Sequence, residues 1–197
     1  MNESIYYNVD EIHQAISQNR LIRFHYYEWT PEKEMHLRRN GKAYEISPWG
    51  LSWDDENYYM VGYDSDAEMI KHFRVDKMLD IIITDQPRRG KDGFEKFDLA
   101  NYAKKVFGMF SGEERTVKML CENNLAGAMI DRFGRDVIMH PVDEDHFVVN
   151  AAVNVSPQFF GWLVALGKGV VIESPEDVKE EFKEWVRAVM REYENVG

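Results

Sequence analysis

The sequence predicts an α+β chain, with an SH3- or Sm-like β-barrel behind an N-terminal helix and then a ferredoxin-like βαββαβα unit. Three observations predict it. The chain opens on apolar residues at helical spacing, and about five short alternating stretches follow closely, up to about residue 86. Beyond residue 113, strand-like and helix-like stretches take turns. A length of 197 residues accommodates two modest cores. The expected division is a barrel at 1–86, a connecting segment with a short helix at 87–112, and the second unit at 113–197.

Ile5, Val9, Ile12 and Ile16 define the first helix, with Asn8 or Asp10 as N-cap and Asn19 near its end. The period then changes. In Leu21–Tyr27, alternation puts Ile22, Phe24 and Tyr26 on one face and Arg23, His25 and Tyr27 on the other. Further strands are expected at Met35–Arg39, Ala43–Leu51, Tyr58–Tyr63, Ile70–Val75 and Leu79–Thr84. Asn40-Gly41 and Asp54–Asn57 carry the residues of tight turns. A sheet of this kind closing on itself buries its inner face without covering helices.

Pro87, Gly90 and Gly93 interrupt both periods and mark Gln86–Gly93 as linker, followed by an amphipathic helix at Leu99–Phe107. Strands are then expected at Arg115–Cys121, Asp136–Pro141, His146–Val153 and Val170–Glu173. Helices are expected at Leu125–Phe133 and Pro157–Leu166, ended by Gly134 and Gly167, and at Pro175–Tyr193. Ser174 is read as the cap of that last helix, with Pro175 in its first turn and Asp177 three residues on.

Composition narrows the partners. Hydrophobic residues make up 44% and charged residues 30%, which argues against disorder. The net charge is −11, and neither side of Phe97 is basic, with 13 basic against 18 acidic residues before it and 11 against 17 after. Contact with nucleic acid must therefore come from a local patch in an acidic molecule. Cys121 is the only cysteine, so no internal disulfide can form and a cysteine-rich zinc site is excluded; in an apolar strand it reads as packing. No signal peptide and no apolar run of membrane-spanning length are present, so a cytoplasmic location is expected, with no membrane partner.

Leu21–Tyr27, Ala43–Tyr63 and Lys71–Met78 together resemble the WYL domain of bacterial transcriptional regulators. The Trp-Tyr-Leu run of that family reads Tyr58-Tyr59-Met60 here, and its Phe-Arg-x-Asp-Arg-Ile strand reads Phe73-Arg74-Val75-Asp76-Lys77-Met78. Tyr26 matches the aromatic of the first strand, Arg38 or Arg39 the loop arginine, and Pro48 the proline before a strand. From Asp98–Gly112 to the end the chain resembles the C-terminal extension that commonly follows such domains. Lys71 and Lys77 stand where arginine is common, which replaces forked donors by point charges. Such regulators usually begin with a winged helix-turn-helix. This sequence starts at the WYL domain, so duplex DNA is expected to be met only through an N-terminal helix-turn-helix that the sequence lacks.

The resemblance implies a sensor of an anionic ligand, a nucleotide or a short single-stranded nucleic acid. On Lys71–Lys77, alternation places His72, Arg74 and Asp76 on one face, where Asp76 could orient Arg74; read alone, the two residues form an ordinary surface ion pair. His25, Arg23, Arg38, Arg39 and Lys42, with Tyr26, Tyr44 and Tyr59, supply the cations and aromatic faces that such ligands use, although tyrosines in small barrels also serve as core.

No phosphate-binding loop, nucleophile elbow or paired metal-ligating histidines occur, so the chain is read as no enzyme, with no cofactor and no metal. Asp64-Ser65-Asp66 is read as a polar turn. Trp162 and Trp185, at helical spacing among apolar neighbours, are read as core or dimer contact, and a homodimer is expected. The rival readings are an assembly module without a ligand and, behind it, a small hydrolase or nuclease.

Overall fold

The computed structural model describes residues 3–110 and 112–195, and the chain divides after Leu99 into two units, each with its own core. In the first unit, α1 (Glu3–Ser17) lays Ile12 and Ala15 fully into the barrel core. The helix starts earlier than the cap residues suggest. Asn8 and Asp10 lie inside it, and the Asn8 amide donates to the carbonyls of Val75 (3.0 Å) and Met78 (2.9 Å).

β1 (Arg20–Trp29) pairs with β2 (Met35–Leu37), β3 (Tyr44–Asp54) and β6 (Met78–Pro87), always antiparallel. β4 (Asn57–Asp64) and β5 (Met69–Arg74) extend the sheet from β3. β3 bends around the barrel, with Tyr44–Ile46 on β1 and Ser47–Asp54 on β4. Pro48 is tolerated in this strand because a bulge separates it from Gly50. Gly62 is required where β4 meets β3, since a Cβ there would stand 2.5 Å from Ile46 Cγ2 and 3.1 Å from the Ser47 carbonyl oxygen.

The sheet curls as expected and remains open at one seam. Among the described residues β5 and β6 share no ladder; a 3-10 turn, Val75–Lys77, joins them, and Asn8 holds its carbonyls. Leu37 ends β2, and Arg38 and Arg39, expected in that strand, belong to a 3-10 turn, Arg38–Gly41. Three successive left-handed residues, Arg39, Asn40 and Gly41, cannot continue a strand. Alternation holds in β1: Tyr27 faces away from Tyr26, with its ring 5.4 Å from that of Trp29, and is nonetheless buried. Behind β6 the chain stays attached: the Arg88 N–H donates to Asn19 O (3.1 Å) and the Arg89 N–H to Ser47 Oγ (2.8 Å), and α2 (Lys91–Phe94) follows. Helix α3 (Leu99–Lys105) crosses the division between units.

In the second unit β7 (Glu113–Glu122), α4 (Ala126–Phe133), β8 (Ile138–Pro141), β9 (His146–Val155), α5 (Pro157–Ala165), β10 (Val170–Ser174) and α6 (Glu176–Glu194) follow the predicted order. The sheet runs β10-β7-β9-β8, antiparallel throughout, which is the ferredoxin-like arrangement. Val117, Met119 and Cys121 of β7, with Phe147, Val149, Ala151 and Val153 of β9, form the inner face, packed on Met129, Phe159 and Leu163 of the helices. Burial pushes the Cys121 thiol up to about 11, consistent with inert packing. Trp162 packs at 5.2 Å from Phe107, and Trp185 at 5.9 Å from Phe160, so both serve the core.

Ser156 caps α5 by accepting from the Phe159 N–H (3.3 Å). Ser174 does not cap α6. It is still paired in β10, Pro175 takes the cap position without a side-chain bond, and Asp177 accepts from the Val178 N–H (3.0 Å) and from Arg115.

Candidate ligand site on the first unit

The Arg74–Asp76 turn follows directly on β5, whose Phe73 is anchored in the core. Phe24, Tyr26, Tyr44 and Phe73 form one aromatic cluster, with ring centroids 5.1 to 6.5 Å apart. Val75 is fully buried beside it. With Phe73 and Val75 pointing inward, Arg74 and Asp76 are left facing outward together. Their side chains form a forked pair, Nε to Oδ1 at 3.0 Å and Nη2 to Oδ2 at 2.8 Å, each about one third exposed.

Two tyrosines of β1 hold this turn, Tyr26 from the core and Tyr27 from the other face. The Tyr26 hydroxyl accepts the Arg74 backbone N–H (3.1 Å), and the Tyr27 hydroxyl donates to the Asp76 carbonyl (3.3 Å). Burial raises both phenols above their ordinary pKa, so they stay neutral. Tyr59 stands opposite Arg74 across the β4–β5 ladder, and burial raises its pKa as well, against the pull of the neighbouring Arg74 charge. The hydrogen bonds that Arg74 donates to Asp76 raise its pKa further, so this guanidinium is permanently charged.

Arg38 lies close enough to Tyr26 for its charge to act on that phenol, and its Nε is 3.6 Å from Glu28. Arg39 joins through the next ring: its guanidinium carbon sits 4.1 Å from the centre of Tyr44, and Nη2 is 3.5 Å from Asp64. Asp64 is buried. Burial works to raise its pKa, but Lys71 at 2.6 Å and the N–H groups of Ala67 and Asp66 more than offset that and hold it below the ordinary value. The Asp64-Ser65-Asp66 segment is thus a polar turn whose carboxylate is used internally.

The fold therefore gathers Tyr26, Tyr59, Arg74 and Asp76, brings Arg38 within electrostatic range, and connects Arg39 through Tyr44. His72 lies opposite Val61 on the same ladder, half-buried. His25 does not join this group through any contact described; its Nδ1 is 3.5 Å from Asp80. Alternation assigns Tyr27 to the face opposite Tyr26, and only its hydrogen bond to Asp76, 49 positions away, reveals its role. A small cleft of about 50 Å³ adjoins Asp76, lined by Ile5, Trp53, Glu56, Asn57 and Tyr58. It is assembled from α1 and the β3–β4 turn, which no local pattern connects.

Chemically, the site presents a guanidinium whose direction is set by a carboxylate, beside aromatic side chains. Among the described residues no three His, Cys, Asp or Glu side chains come together as metal ligands, and no helix is long and apolar enough to cross a membrane.

Comparison with known proteins bears on the two domains. The WYL domain matches residues 7–83 and the WCX domain residues 113–190. No curated protein matches the sequence. Among solved structures, Proteasome accessory factor B/C (PafBC) of Arthrobacter aurescens is similar over 98% of this chain, at 17% identity and a TM-score of 0.40; the chain spans 28% of that protein's chain. Likeness at that level adds no weight to the domain matches. Those matches cover the barrel and the ferredoxin-like unit in turn, and the chain belongs to the WYL-domain family, with a WCX domain as its C-terminal extension.

Proposed function

We propose that this chain is the effector-sensing region of a transcriptional regulator, and that its barrel binds an anionic ligand, a nucleotide or a short single strand, with Arg74 as anchor. The observation that carries this reading is the Arg74–Asp76 fork, whose backbone Tyr26 and Tyr27 hold while the guanidinium stays one third exposed. A donor held in this way loses little conformational freedom when it meets a phosphate. The region acts by binding, without catalysis. Binding would bias the regulator between two arrangements of different operator affinity.

The charges refine the reading. Arg74, Arg38 and Arg39 each already face a carboxylate: Asp76, Glu28 and Asp64. The ligand must therefore exchange for a carboxylate or share a guanidinium with it. The exposed Arg38–Glu28 contact is the easiest to exchange, since such pairs contribute little.

Fluorescent single-stranded DNA and RNA oligonucleotides and labelled nucleotides, titrated across a salt series, test this proposal. The wild type is expected to bind in a salt-sensitive way, and Arg74→Ala to lose at least about tenfold in affinity, as for a charged hydrogen bond. Equal binding by the variant, or none by the wild type at low salt, overturns it.

A homodimer through the second unit is a second reading, favoured by one feature of its sheet. β7 turns Val117, Met119 and Cys121 inward, which leaves Leu120 on the other face, opposite Val148 of β9 and Val171 of β10. Val171 and Ile138 are both more than half exposed. Sedimentation of the wild type against Val171→Lys separates a dimer held by this face from a monomer.

A further inference from the structure

We propose that the end of the barrel where β1 begins and β6 ends is a second anion site, taking the phosphate backbone of duplex DNA through Arg20, Arg88 and Arg89. The choice of duplex DNA rests on the reading of the chain as part of a regulator; the site is separate from the one at Arg74.

The observation is a difference between arginines of one unit. Arg38, Arg39 and Arg74 face carboxylates. Among the described residues, Arg20, Arg88 and Arg89 are held only by neutral acceptors. Arg20 donates to the Asp85 carbonyl. Arg88 donates through Nε to Asn19 Oδ1 (3.0 Å) and through Nη1 to the Pro48 carbonyl (2.9 Å), and Arg89 donates to Gln86 Oε1 (2.9 Å). These bonds fix the guanidinium groups without neutralising them, so all three charges remain.

They are also neighbours. Arg20 is paired with Pro87 across β1 and β6, Arg88 follows directly, and its backbone N–H returns to Asn19. The acceptors Asn19, Asp85 and Gln86 lie on the same two paired segments. Arg88 is the least solvated of the three. Its guanidinium carbon is 4.1 Å from the centre of the Phe94 ring, and burial lowers its pKa without a carboxylate to offset the cost. A half-buried cation with spare N–H donors and no counter-ion is a prepared partner for an anion. Lys91 next door is no part of this group, since Glu95 is 3.5 Å away. Asp85 adds one exposed carboxylate to the segment, and it forms no ion pair with these arginines.

Net charge supplies the second argument. At −11 the chain repels a polyanion everywhere except at a local concentration of uncompensated cations. Three guanidinium groups match three phosphates and would release about as many counterions. Affinity should then fall roughly 40-fold between 50 and 200 mM salt.

The test is fluorescence anisotropy of a labelled 20-base-pair duplex of arbitrary sequence with the full chain, beside a single strand of the same length. The double variant R20Q/R89Q removes two exposed charges and leaves Arg88, which also holds Pro48. The wild type is expected to bind the duplex, and the variant to retain only a three- to fourfold salt effect over the same range, for one remaining phosphate. Circular dichroism of the variant should match the wild type. The proposal is overturned by no duplex binding at 50 mM salt, by an unchanged salt slope in the variant, or by binding of the single strand alone. Arg74→Ala separates the two readings. It should keep duplex binding while losing the anionic effector, and failure of one result leaves the other standing.

Discussion

In the first unit Tyr26 reaches from an aromatic core to the Arg74–Asp76 turn, Tyr27 meets that turn from the other face, and Asp64, itself buried, holds Lys71 at 2.6 Å. In the second unit the ion pairs Arg115–Glu113, Arg115–Asp177 and Lys118–Glu173 sit on the surface, over a core of Val, Met and Phe that none of them enters. These two sets of charges thus act differently. Polar groups anchored in a core give a surface arginine a fixed direction, whereas pairs made only with each other stay in solvent and are worth little. This is why the ligand is sought on the barrel, while the second unit offers an apolar sheet face.

The strongest test of the comparison begins with the cores themselves. Phe24→Ala in the barrel and Phe159→Ala in the second unit each remove a fully buried ring and should each cost about 3–5 kcal/mol in urea unfolding. Only the barrel variant should also weaken the effector, because Phe24 packs 6.5 Å from Tyr26. Loss of effector binding in both would erase the distinction.

Asp64→Asn comes next, at about 1–3 kcal/mol near neutral pH, because it removes a charged acceptor used by Lys71 and two N–H groups. The folded pKa of Asp64 lies below its ordinary value of 3.8, so its contribution is present above that value and is lost as pH falls through the folded pKa. The wild type should therefore lose its advantage over Asp64→Asn as acid unfolding is followed downward from pH 4. A constant difference across that range would remove Asp64 as the cause.

Tyr27→Phe should cost about 0.5–1.5 kcal/mol and loosen the turn enough to weaken effector binding, with the rest of the barrel unchanged by circular dichroism. The smallest effect is expected at Arg115→Gln. It breaks two exposed ion pairs in the second unit and should leave the urea midpoint where it is. A clear shift there would show that surface pairs carry more stability than this contrast between the units allows.

Element order, the two cores and the outward direction of Arg74 and Asp76 were legible in local pattern, because burial repeats with the period of each element. Phe73 and Val75 had to face inward, so Arg74 and Asp76 had to face outward together. The contacts that hold the turn were not legible. That Tyr27 meets the Asp76 carbonyl joins segments 49 positions apart, and that Asn8 leaves the capping role for Val75 depends on the open seam between β5 and β6. The neutral partners of Arg20 and Arg88 were equally hidden, since residues 65 and 69 positions apart meet there. A short-range period records which face a residue takes. Which groups meet across that face is decided only when distant segments close on one another, through bulges and hydrogen bonds that leave no periodic trace.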